Sequence, residues 1–269
     1  MKFLQFFVNI YKYLQKIEET SLVKQELDQI DESFNFLNVG AWLPGDFGQD
    51  RKNISGLIKV FLETFKNKKI KPGLVLKTHI GSASIIDKEE VLKRIQQIKD
   101  TVNSKDLPNI YILHGDLTDQ EMNELYNHPK IKAMVSLTFG EGYGRPLLEF
   151  TQSKKPIICS GWSGQIDFLN PEFATLLPGV LTPIHQSAQV KDMLIDSSKW
   201  FSVDLGQAGG YMKDYFENYS KYKDNGKRLG FYTKNNFSYN KMKDKMKIVL
   251  DSNIKLPYSL KLPSLKIVK

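Results

Sequence analysis

The sequence is poor in sulfur. One cysteine, Cys159, stands in 269 residues, so neither an internal disulfide nor a cysteine-built metal centre can form. Long apolar runs are missing too. No stretch approaches the ~20 apolar residues that cross a bilayer. The apolar opening MKFLQFFVNIYKYLQ is interrupted by Gln5, Asn9 and Lys12, and no small-residue cleavage site follows it. No Asp-x-Asp pair occurs, which removes a metal–diphosphate site of that kind. The remaining composition, 41% apolar and 25% charged, excludes global disorder. The length suits one large α/β domain or two small ones. A soluble protein of a reducing compartment, the cytoplasm, is expected.

Acidic residues are scarce at one end only. Residues 211–269 carry 14 basic and 5 acidic side chains, +9, while residues 1–210 carry 24 and 25, −1. A neutral body argues against a nucleic-acid enzyme with a basic main cleft. The basic segment suits phosphate, acidic lipid or an acidic partner, with nucleic acid as the less favoured reading of its interleaved tyrosines and lysines.

What is present is an alternation of strands and helices. Helical spacing of Phe3, Phe6, Phe7, Ile10, Leu14 and Ile17 places one or two helices over residues 3–30. FNFLNVG (34–40), GLVLKT (73–78), NIYIL (109–113), KAMVSL (132–137) and KPIICS (155–160) read as strands. Between them run helices expected to be capped by Asn53, by an Asp87–Glu90 box and by Thr118 with Glu121, and a fourth from about Pro146. Such alternation means crossover connections: a single doubly wound, Rossmann-like parallel sheet of five or six strands over 34–205. Flanking it are an N-terminal helical segment (1–33), basic C-terminal helices (206–251) and an extended Leu-Pro arm (252–269). Doubly wound sheets bind ligands at the carboxyl ends of their strands, in loops 41–52, 79–86, 114–118, 138–145 and 160–164.

The loop 138–145, TFGEGYGR, carries the most chemistry. Pro146 sets a helix start, and Gly140, Gly142 and Gly144 let backbone approach a ligand. The amides of Gly142, Tyr143, Gly144 and Arg145 then suit a pyrophosphate. Glu149, one turn on, can accept a ribose diol. Three other motifs fail. Gly142-x-Gly144 lacks the third glycine of a dinucleotide fingerprint. Asp46 stands where a P-loop needs lysine. Gln165 replaces the last glycine of a nucleophile elbow at Gly161-Trp162-Ser163-Gly164.

Glu141 and Glu149, with seven residues between them, resemble the E-x7-E signature of retaining GT-B glycosyltransferases of the group-1, family-4 kind. FLNVG…Arg51-Lys52-Asn53…LIKVF is similar to that family's first strand, phosphate-binding lysine segment and following helix. HGDLTDQEMNELYNH and KPIICSGWSGQIDFL resemble two further segments, the second of the pattern P-V-I-x-S-x-x-G-G-x-x-E. The four matches run in family order across residues 34–170. The flavour is that of glycosyltransferase-like proteins of large tailed phages and marine viruses, which would place the chain in host cytoplasm or a virion.

The resemblance implies half of a GT-B fold, the donor-binding half. It implies that Arg51 and Lys52 hold the donor diphosphate and stabilise the departing nucleotide without metal. Glu141 and the following amides would contact donor sugar and phosphate, Glu149 the ribose, and backbone near Leu117 the base. No cofactor is implied beyond the nucleotide-diphosphate sugar, the substrate of a metal-independent hexosyltransferase. Two departures stand out. Ala41 replaces an arginine common after the first strand, and only 33 residues precede that strand. The acceptor side is therefore expected from a second chain or a homo-oligomer.

Each residue also has a plainer reading. Glu149 alone suits a helix-dipole residue, and Arg51 and Lys52 suit a solvated helix entrance. His79 and His114 read as loop or core histidines with no identifiable partner. Cys159 reads as packing, and Tyr211, Tyr215, Tyr219 and Tyr222 as one helix face. The alternative for the whole is a catalytically inactive glycosyltransferase-fold module with a structural role in a larger assembly such as a virus particle.

Overall fold

Strands and helices alternate in the computed structural model, which describes residues 21–189, 194 and 197–254. The apolar helical spacing read over residues 3–20 and the Leu-Pro arm beyond 254 lie outside the described residues. After α1 (Leu22–Asp28) come β1 (Asn35–Val39), α2 (Ile54–Phe65), β2 (Gly73–Lys77), α3 (Ile85–Asp100), β3 (Ile110–Leu113) and α4 (Asp119–Asn127). The second half continues with β4 (Ile131–Ser136), α5 (Arg145–Thr151), β5 (Ile157–Ser160) and β6 (Thr175–Leu177). These six strands form one sheet in the order β3-β2-β1-β4-β5-β6, with every pairing parallel.

Helices on both faces explain why the strands are apolar throughout rather than alternating. Phe36, Leu74, Leu76, Val135 and Ile158 face one layer, where Leu57, Phe61 and Phe65 of α2 pack. Leu37, Val75, Met134, Ile157 and Cys159 face the other, against Leu125, Tyr126, Leu147 and Phe150. Cys159 is fully buried, as a packing residue should be. Among the described residues no helix is long and apolar enough to cross a membrane.

A second sheet follows that strand patterning does not anticipate. β7 (Gly179–Pro183) and β8 (Lys199–Val203) pair antiparallel. Both are short, and Pro183 ends β7, so neither shows the alternation that announces a hairpin. The pair is anchored to the main sheet's ligand edge where the Phe201 amide donates to the Phe139 carbonyl at 3.1 Å. Phe139 also stacks on Trp200, ring centroids 5.4 Å apart.

Three helices end the described chain: α6 (Leu205–Glu217), α7 (Tyr219–Phe237) and α8 (Tyr239–Asn253). Of the four tyrosines, Tyr215 and Tyr222 are buried and stacked, and the Tyr219 hydroxyl donates to the Lys132 carbonyl at 3.1 Å. Tyr211 is exposed instead. A break at Asn218 turns the chain between Tyr215 and Tyr219, so the four do not line one continuous helix.

Two caps differ from expectation. Asn53 precedes α2 but adopts the left-handed conformation (φ 50°) and makes no side-chain cap. Asp50 does that work, accepting from the Ile54 amide (3.1 Å) and the Ser55 hydroxyl (2.9 Å). The tight turn between Asp50 and Asn53 brings the carboxylate back over the helix start, a geometry that spacing alone does not reveal. Likewise α3 begins at Ile85 under the Ser84 hydroxyl, which accepts from the Asp87 amide (3.2 Å); Asp87 and Glu90 form no box. The Thr118–Glu121 box is present as read.

Candidate functional site

The strand order reverses between β1 and β4, and in doubly wound sheets the crevice at that reversal is where ligands bind. The loop leaving β1 and the loop leaving β4 flank it here. They are joined through backbone: the Phe139 amide donates to the Arg51 carbonyl (2.9 Å), and the Thr138 hydroxyl donates to the same oxygen (3.2 Å). That contact brings the charged groups of both loops together. Lys52 Nζ lies 2.5 Å from Glu141 Oε1, and an Arg51 guanidinium nitrogen 3.6 Å from Glu141 Oε2. Arg51 also donates to the Gly140 carbonyl at 2.5 Å. A Cβ added at Gly40 would meet the Lys52 stem at 3.6 Å, so the stem runs beside the end of β1. Glu141, only 11% exposed at its side chain, is thus held by two cations, leaving one positive charge in excess.

Asp50 caps the helix that follows the Arg51-Lys52 pair. It is fully buried, and desolvation pushes its pKa up, against the pull of the Ile54 amide and Ser55 hydroxyl that it accepts from. Its signal in the sequence is an acid just before the Arg-Lys pair, three residues ahead of the Asn53 that occupies the usual cap position.

Glu149 sits eight residues beyond Glu141, on α5. Its Oε1 is 2.5 Å from Arg145 Nε, and the Tyr126 hydroxyl donates to Oε2 at 3.2 Å. Burial, then the Glu149 charge, pushes the Tyr126 hydroxyl's pKa far up, so it stays a donor. Leu117, Met122, Asn123 and Gln152 complete a cleft of about 480 Å³ around Arg145 and Glu149. Leu117 and Glu149 therefore share one concavity. Tyr126, which orients the carboxylate, lies in the HGDLTDQEMNELYNH segment, 23 residues before Glu149, and no local spacing links the two.

Between the two clusters runs Gly142-Tyr143-Gly144. Space beside Gly142 is open, Gly144 adopts φ 86°, and the half-exposed Tyr143 ring lies 5.2 Å from Phe168. The segment is stapled from behind. Ser163 Oγ donates to the Glu141 carbonyl (2.6 Å) and accepts from the Glu141 amide (3.3 Å), and the Gly164 amide donates to the same carbonyl (3.0 Å). Ser163 holds φ 74°, unusual for a residue with a Cβ, at the position where the matched pattern has glycine.

The β3–α4 loop that carries Leu117 is braced as well. Lys77 Nζ donates to the Gly115 carbonyl at 2.5 Å; the side chain is largely buried, and desolvation lowers its pKa. A lysine ending an apolar strand was the available signal. His114 has a partner after all: its Nε2 lies 2.8 Å from Asp87 Oδ1, with both side chains under one-tenth exposed. Asp87 also accepts from the amides of Ile80 (2.9 Å), Gly81 (2.6 Å) and Ser82 (3.1 Å). Burial alone would raise its pKa, but these amides and His114 outweigh that and hold it well below the usual carboxylate range.

A depressed folded-state pKa stabilises above the unfolded value, about 3.9, and the contribution is lost as pH falls below it. Asp87→Asn should therefore flatten the loss of Tm between about pH 4 and pH 2, while lowering Tm at neutral pH; thermal melts across pH check both. His79 contributes its carbonyl to the Trp42 amide (2.7 Å). Among the described residues no group of three His, Cys, Asp or Glu side chains is arranged to hold a metal ion.

No protein-family model matches this chain, and no curated protein sequence matches it either. Solved structures match in fold. Anabaena Alr3699/HepE in complex with UDP-glucose aligns at TM-score 0.56 and 12% identity, over 87% of this chain and 54% of that one. The UDP-forming α,α-trehalose-phosphate synthase of Burkholderia vietnamiensis aligns at 0.56 and 13%, over 87% and 48%. Sucrose-phosphate synthase of Thermosynechococcus elongatus aligns at 0.55 and 14%, over 86% and 48%. This chain thus spans about half the length of each. Its fold is the Rossmann-like α/β fold of GT-B glycosyltransferases.

Proposed function

We propose that this chain binds a nucleotide-sugar donor in the β1–β4 crevice and transfers the sugar with retention, using charged side chains in place of a metal. The observation that carries the reading is the Lys52–Glu141–Arg51 cluster at the strand-order reversal, with the Glu149 cleft beside it. A diphosphate entering the crevice competes with Glu141 for the two cations. Lys52 and Arg51 then neutralise charge on the departing nucleotide, and Glu141, released, turns to the donor sugar. Glu149 accepts the ribose hydroxyls, and the loop at Leu117 lines the base. UDP-glucose bound to the similarly folded HepE supports uridine as the first base to test.

The acceptor is supplied by a second chain or a homo-oligomer in this reading. One observation favours the alternative, a non-catalytic module: Lys52, Arg51 and Arg145 already have carboxylate partners within the chain, Glu141 for the first two and Glu149 for the third. A thermal-shift panel of UDP, GDP, ADP and their sugars separates the two. Ligand at 100 times its Kd adds about 2.7 kcal/mol, which raises Tm by several degrees. The enzyme reading expects a rise with one base that disappears in Glu149→Ala. The module reading expects none with any.

A further inference from the structure

The helix α8 buries none of its residues. Its large apolar side chains are exposed nonetheless, from 40% for Met242 to 82% for Tyr239. They are not scattered. Tyr239, Met242, Met246, Val249 and Leu250 recur at helical spacing, so at 3.6 residues per turn they fall within an arc of about 100°. The same spacing puts Lys243 and Lys247 along one border of that stripe, and Lys241 and Lys245 along the other. Asp244 and Asp251 lie on the opposite side, with Ile248 as the one apolar exception. Lys247 is ion-paired to Asp251, and Lys245 sits 4.7 Å from the Phe237 ring at the α7 end. The helix belongs to the segment that carries +9 while the rest of the chain carries −1.

We propose that α8 docks this protein on an anionic lipid surface, lying in the interface with its apolar stripe down. The charge pattern selects that partner. Lysines on both borders can lay their methylene stems along the acyl boundary and raise their ammonium groups to the headgroups, while both aspartates stay in water. A second copy fits poorly, because lysines bordering both sides of the stripe would meet lysines across a paired seam. Nucleic acid would use the lysines and leave the stripe uncovered. The proposal goes beyond donor binding and does not depend on it, since no residue of the β1–β4 crevice takes part.

The test is sedimentation of the full chain with phosphatidylcholine vesicles, with and without phosphatidylserine. Binding is expected only with phosphatidylserine, weakening as salt rises. Each lysine near such a surface is worth about fivefold in partitioning, so replacing Lys241, Lys243, Lys245 and Lys247 with glutamine should abolish it. Met246→Asp with Val249→Asp, which keeps every lysine, should abolish it as well. Neither variant touches the core, so their melts should match the parent chain's. No sedimentation with anionic vesicles overturns the proposal, as does sedimentation indifferent to the stripe variant. So does a dimer in solution that the stripe variant dissolves, or duplex DNA binding that needs the lysines while vesicles fail.

Discussion

Lys52→Ala is expected to raise the Kd for the nucleoside diphosphate by 10- to 100-fold. A charge-assisted hydrogen bond contributes about 1.5–3 kcal/mol, and the Lys52 ammonium, held at the crevice by Glu141, is placed to make one. Stability should change less. Glu141 loses its 2.5 Å partner but keeps Arg51 at 3.6 Å, and Arg51 can close that gap. Isothermal titration alongside thermal melts reads the two effects separately. A large fall in Tm with unchanged nucleotide affinity would assign Lys52 to the fold and remove it from the donor site. Glu141→Gln sharpens the comparison, because it frees Lys52 from its resting partner and should leave binding of the bare diphosphate equal or tighter.

Gly164→Ala should do the reverse and damage fold and site together. A Cβ at this position would sit 2.2 Å from the Gly142 carbonyl oxygen and 2.7 Å from Tyr143 Cα, both backbone atoms that cannot rotate away. Overpacking of this kind costs about 1–3 kcal/mol, a fall in Tm of roughly 2–10 °C for a chain this long. The same displacement carries Gly142 and Tyr143 away from the crevice, so the nucleotide-induced shift should vanish. Gly142→Ala is the matched control, since its Cβ would meet nothing within 4 Å. Its melt should be unchanged, and any loss of nucleotide affinity then reports backbone approach to the ligand. A normal nucleotide response in Gly164→Ala would dissociate the loop from binding.

The two variants differ because the site is built from two kinds of information. The glycine loop and Glu149 one turn beyond it were legible from local spacing, and Glu141, Arg51 and Lys52 were singled out by the resemblance. Ser163 was not, although it staples the Glu141 loop at a distance of 22 residues along the chain. Neither was Asp87, whose partner His114 lies 27 residues on and whose nearer role, a capping box, proved to be the wrong one. Tyr126 reaches Glu149 across 23 residues and Lys77 reaches Gly115 across 38.

By itself the sequence determined the alternation of strand and helix, the parallel sheet, the loops at its ligand edge and the basic helical end. All of these follow from apolar periodicity and local turn chemistry, which act over a few residues. Only the tertiary structure decided that β1 and β4 adjoin, and so that Lys52 meets Glu141 over 89 residues of chain. It also decided that Asp50 rather than Asn53 caps α2, that β7 and β8 pair, and that α8 keeps its apolar stripe uncovered. Each of these depends on which elements pack side by side. A side chain's spacing along the chain carries no record of the neighbour it will find across a sheet.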